Sequence, residues 1–63
     1  MEKDEFYEDA KEAVRSCQKA SAPFLQRKLC LGYARSARLI DQLEENGIIG
    51  KADGAKPREV FIS

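Results

Sequence analysis

Apolar residues recur through the first third of this chain at helical spacing. Phe6, Tyr7, Ala10, Ala13, Val14 and Cys17 fall at i, i+1, i+4, i+7, i+8 and i+11, one face of a helix. Asp4 is placed to cap the start, and acids in the first turns suit the positive end of the helix dipole. The outer face carries Glu5, Glu8, Asp9 and Glu12. A break follows at Lys19-Ala20-Ser21. Ser21 is an N-cap residue, and Pro23 is tolerated in a first turn that needs no amide hydrogen. A short helix is predicted over 22–29, with Leu25 and Leu29 inward and Phe24 off that line.

Gly32 then suits a left-handed turn, and a third helix is predicted over 33–46. With Ile40 as origin and ~100° per residue, Tyr33, Ser36, Ala37, Ile40 and Leu43 share the inner face. Ala34, Arg35, Arg38, Asp41, Gln42 and Glu45 fall opposite, Leu39 lies at the flank, and Glu44 sits on the apolar side near the end. Asn46-Gly47 stops the helix. Ile48-Ile49 and residues 58–62 read as two strands around the turn-rich loop 50–57, which makes a hairpin. The expected fold is mainly α with a small β-hairpin: three helices plus a wing, a winged helix-turn-helix, with residues 1–63 forming one domain.

Charge changes the picture more than composition does. Eleven bases balance eleven acids over 63 residues, yet residues 16–40 hold Lys19, Arg27, Lys28, Arg35 and Arg38 and no acid. A wholly basic centre in a neutral chain points to a polyanionic partner. The acidic face of the first helix is expected to turn away from such a partner. Two cysteines and no histidine cannot supply a four-ligand zinc site. No metal or other cofactor is expected, and Cys17 and Cys30 read as small buried hydrophobes with free thiols. No apolar run approaches a membrane span and none resembles a signal peptide, so a cytoplasmic domain is expected. A chain this short has little room for a deep catalytic pocket besides a core, and no nucleophile–base pair is visible. A non-enzymatic binding surface is the expectation.

A short helix, a glycine-containing turn and a longer helix make a helix-turn-helix, whose second helix enters the major groove of double-stranded DNA. Arg35, Arg38 and Asp41, outward on the first half of that helix, are candidate base readers; arginine donates a bidentate pair to guanine, and an acid accepts from cytosine. Ser21, Gln26, Arg27 and Lys28 on the short helix, and Lys51, Lys56 and Arg58 in the wing, are candidate phosphate contacts. Tyr33 joins these by residue type, although its period places the ring inward; it and Phe61 read as core rather than as stacking platforms. Each charged residue has a plainer role open to it. Arg38 with Asp41 or Gln42 is ordinary helix decoration, and wing lysines protect a hairpin edge.

Gln26-Arg27, Gly32-Tyr33, Arg35, Ala37-Arg38, Leu39-Ile40, Asp41 and Arg58-Glu59-Val60 together resemble the C-terminal gamma domain of the FtsK/SpoIIIE DNA translocases. The likeness runs over nearly the whole chain, including Phe6-Tyr7-Glu8-Asp9-Ala10. It implies a winged helix that recognises short, polar, guanine-rich chromosomal sequences and orients a hexameric ATP-driven motor during chromosome segregation. In some members it also activates a XerD-type tyrosine recombinase. The motor, joined through a linker and membrane-anchored in the parent protein, is not in this sequence: no phosphate-binding P-loop is present. Arg35, Arg38 and Asp41 carry over. Ala34 stands at a base-contacting position where relatives often have a polar residue, Ser36 replaces an alanine, and Cys30 replaces a frequent base. A winged-helix transcriptional regulator, which would dimerise on a palindrome, and a winged helix that binds only protein are the alternatives.

Overall fold

The computed structural model describes residues 4–54 and 56–63. Residues 1–3 and Ala55 of the loop lie outside them. Three helices form in the expected order: α1 (Tyr7–Cys17), α2 (Ala22–Leu29) and α3 (Tyr33–Glu45).

Local chemistry sets each boundary. Asp4 caps the entry to α1 by accepting the Phe6 N–H at Oδ1 (2.8 Å), while its carbonyl accepts the Tyr7 N–H (2.9 Å). Ser21 Oγ accepts the Phe24 N–H at 3.1 Å, and Pro23 lies in the first turn of α2. Both helices end on a left-handed residue, Gln18 (φ 53°) and Cys30 (φ 56°). The left-handed turn expected at Gly32 is therefore taken by Cys30. Gly32 is extended (φ −73°, ψ 162°) and serves as the N-cap of α3. Gly47, at φ +75°, adopts the left-handed conformation that closes α3, and the Ile48 N–H returns to the Leu43 carbonyl at 2.9 Å.

The core joins Ala10 and Val14 of α1, Leu25 of α2, Leu39, Ile40 and Leu43 of α3, and Ile48 and Ile49 beyond it. Complete burial of a leucine contributes roughly 1.5–3 kcal/mol, and Leu25, Leu39 and Leu43 are all fully buried. Leu39, expected at a flank, is as deep as any residue. α3 packs on both other helices, so its buried arc is centred roughly 50° from Ile40 toward Leu39 at ~100° per residue. Tyr33 is left at the edge of that arc, in the first turn, and is 61% exposed rather than core. Phe61, expected in the core, is likewise exposed. Cys17 and Cys30 are exposed, not buried, since both stand at helix ends beyond the core.

The wing is thinner than two strands. Antiparallel bridges join Ile49 to Val60 and Asp53 to Lys56. The Ile49–Val60 bridge is made by two amide bonds, Gly50 N–H to the Glu59 carbonyl and Phe61 N–H to the Ile48 carbonyl, both 2.9 Å. Side chains supply the rest. Arg58 Nη1 donates to Glu44 Oε1 (2.8 Å) and to the Gly50 carbonyl (3.1 Å). Gln18 Nε2 donates to the Ile62 carbonyl at 2.9 Å, which ties the chain end to the end of α1. Asn46 Nδ2 donates to the Tyr7 hydroxyl (2.8 Å), so the end of α3 is also bonded to the start of α1.

Ser36 is fully buried in the α3 stripe, and its Oγ finds no hydrogen-bond partner. An unsatisfied buried hydroxyl costs about 1–3 kcal/mol, and alanine is the better helix former. Ser36→Ala is expected to raise unfolding stability by about 1–2 kcal/mol in urea titrations, with the slope unchanged.

Candidate nucleic-acid interface

Burying Leu39, Ile40 and Leu43 turns the opposite side of α3 outward. Ala34, Arg38 and Asp41 are exposed there. Arg38 makes no ion pair or hydrogen bond among the described residues, so its guanidinium is free for a partner. Arg35 behaves differently. Its Nε and Nη2 donate to Asp4 Oδ2 and Oδ1 at 2.9 and 3.0 Å, a bidentate pair across 31 residues. The guanidinium carbon stands 4.6 Å from the centroid of the Phe6 ring, and Glu5 Oε1 lies 3.9 Å from Nη2. The arginine side chain is 39% exposed; that of Asp4 is 10% exposed.

These contacts fix the electrostatics. The Arg35 hydrogen bonds hold the Asp4 carboxyl below its ordinary value of 3.8, helped by the Phe6 N–H and by the charges of Arg35 and Arg38, against an opposing effect of burial. The influence of Arg38 places both guanidinium groups in the field of one carboxylate. Arg35 is raised in turn, first by its bond to Asp4. The acidic opening of the chain is therefore not wholly turned away. Glu8, Asp9 and Glu12 are exposed on α1, but Asp4 reaches α3.

A groove of 840 Å³ runs between the start of α2, the first half of α3 and the wing. Ser21, Tyr33, Asp41, Lys56 and Arg58, all nominated from the sequence, line it, and so does Lys19, which was not. Arg27 and Lys28 are exposed and Gln26 half-buried on α2, outside that lining. Lys51 lines a second concavity of 540 Å³ on the wing beside Phe61. Lys56 is exposed, 4.0 Å from Asp53. Arg58, with 19% of its side chain exposed, is committed to Glu44 and braces the wing on α3. Asp4 and Phe6 are the residues sequence reasoning missed. Their only signal was an acid and an aromatic just before α1, and nothing local links them to a position 31 residues on. Among the described residues no cluster of metal-ligating side chains occurs, and no helix is long and apolar enough to cross a membrane.

A carboxylate held below its ordinary value stabilises the fold above that value and loses the contribution as pH falls through the lower folded value. Asp4→Asn is expected to be less stable than the parent at neutral pH. The gap should begin to close near the ordinary value of 3.8 and vanish further down. Urea unfolding of both proteins across that range checks it.

A family model described as "Ftsk gamma domain" matches residues 1–63. The chain is 56% identical over 61 residues to a protein named DNA translocase FtsK from Chlamydia pneumoniae, covering 97% of this chain and 8% of the relative. It is 54% identical over 61 residues to a DNA translocase FtsK of Caldanaerobacter subterraneus subsp. tengcongensis (97% and 9%). With DNA translocase SpoIIIE of Bacillus subtilis the identity is 50% over 60 residues (95% and 8%). The chain thus spans less than a tenth of the length of these curated relatives. What they share with it is one small domain, and this chain belongs to the FtsK gamma domain family.

Proposed function

We propose that this domain binds double-stranded DNA and recognises its sequence, with α3 in the major groove. The observation that supports it best is the free, exposed Arg38 on the face of α3 opposite the buried stripe, three residues from Asp41, which lines the groove shared by α2, α3 and the wing. Arg38 donates to a guanine edge, and Asp41, one turn on, accepts from a cytosine amine or rejects a wrong base by repulsion. Arg35 contributes a second guanidinium. Ala34 offers only a methyl group, suited to apolar contact with thymine.

Phosphates are held by Arg27 and Lys28 from α2 and by Lys51 and Lys56 from the wing, with Ser21, Gln26 and Tyr33 as neutral donors. Arg58 acts at the backbone chiefly by holding the wing, since its guanidinium is engaged with Glu44. In the full-length protein the domain would orient a translocating motor on short, polar, guanine-rich motifs, and would also contact a XerD-type recombinase. A monomeric reader on a site without two-fold symmetry gives the motor a direction, which a palindrome would not.

Binding titrations of this 63-residue chain on a duplex selected from a random pool, and on a scrambled duplex, test the reading. Arg38→Ala is expected to cost about 1–3 kcal/mol on the selected duplex and to relax specificity at one position. Lys56→Ala should weaken both duplexes alike and lower the salt slope by about one. An unchanged ratio of selected to scrambled affinity in Arg38→Ala would remove the base-reading role. Absence of any salt-sensitive binding by the parent would leave a protein-binding winged helix.

A further inference from the structure

We propose that Asp4 is a positioning residue for DNA recognition: it holds the Arg35 guanidinium so that the free edge of that group faces the nucleic acid. The inference rests on the DNA-binding reading above.

Three contacts carry it. Asp4 is itself immobilised, because Oδ1 accepts the Phe6 N–H at 2.8 Å. Its two oxygens then take Nε and Nη2 of Arg35 in parallel, at 2.9 and 3.0 Å. The Phe6 ring underlies the same guanidinium at 4.6 Å. A guanidinium carries five N–H donors in a rigid plane. The pair with Asp4 uses one on Nε and one on Nη2. Both donors on Nη1 and the second on Nη2 remain, on the edge away from the carboxylate. That edge is the one that donates in parallel to guanine O6 and N7. A side chain clamped on one edge and stacked on one face has already lost most of its rotamer freedom, so little more is lost when the other edge binds.

The placement also accounts for a carboxylate on a surface meant for a polyanion. An acid there opposes DNA by simple electrostatics. Asp4 is only 10% exposed and paired on both oxygens, whereas Glu5 beside it is 79% exposed and 3.9 Å from Nη2. Asp4 is thus built in, and Glu5 is the solvated neighbour.

Positioning and electrostatics predict opposite signs. With Asp4→Asn, affinity for the selected duplex is expected to fall about tenfold while affinity for the scrambled duplex holds or rises, as a negative charge has been removed. In an Arg35→Ala background the same substitution should leave the selected-to-scrambled ratio unchanged. Tighter binding of both duplexes would overturn the proposal, making Asp4 a competitor that DNA must displace. An equal loss on both, or no change on either, would overturn it too. A second measurement does not depend on the variant folding. The Arg35 Nε–H resonance of the parent should stay protected from exchange in the complex with the selected duplex, and loss of that protection contradicts the clamp. Failure of the parent chain to bind either duplex is a separate result, which removes the DNA reading itself.

Discussion

Everything this domain presents depends on where α3 is anchored. Leu39, Ile40 and Leu43 are the residues of α3 that meet Leu25 of α2, Ala10 and Val14 of α1, and Ile48 and Ile49 at the root of the wing. Through these residues the rotation of α3 about its own axis is set by one apolar contact set. That rotation decides which residues face outward. A helix turned by one residue would bury Arg38 at the cost of a leucine, and burying an unpaired charge is prohibitive. In a 63-residue chain with a small core, this is the constraint from which the exposed face follows.

Polar bonds then fix the margins that the core leaves loose. Asn46 joins the end of α3 to Tyr7, Gln18 joins the end of α1 to Ile62, and Arg58 joins the wing to Glu44. The wing has few ladder bonds of its own, so the Arg58–Glu44 strut and the Ile49–Val60 bridge give it a defined angle to α3. At the other edge, Asp4 and Phe6 seat the Arg35 guanidinium beside the free Arg38. The two arginines, three apart in sequence, thereby differ: Arg35 is paired with a carboxylate, whereas Arg38 makes no ion pair or hydrogen bond among the described residues.

The helices were legible because their signals are local. The Ser21 cap, Pro23 in the first turn, and the apolar period of α3 are all written within a few residues of where they act. Assignment to the family followed from fixed spacings at separate places along the chain, and the family model matches residues 1–63. What the pattern did not contain was the neighbourhood of each helix. Leu39 is deep and Tyr33 exposed because α3 is flanked on two sides, a fact of tertiary packing. The left-handed turn went to Cys30 rather than Gly32, since the bond from the turn back to the Gln26 carbonyl, not glycine's freedom, fixed where α2 stops. The Asp4–Arg35 pair and the engagement of Arg58 are long-range, and charge patterning along the chain carries no trace of either partner.

Amide resonance mapping of the folded chain, with a selected duplex added stepwise, tests most directly whether one face does the work. The account predicts the largest shifts in residues 21–28, 33–41 and 51–58, with Glu8, Asp9 and Glu12 on the outer side of α1 unmoved. Shifts concentrated on that acidic side of α1, with 33–41 silent, would contradict it.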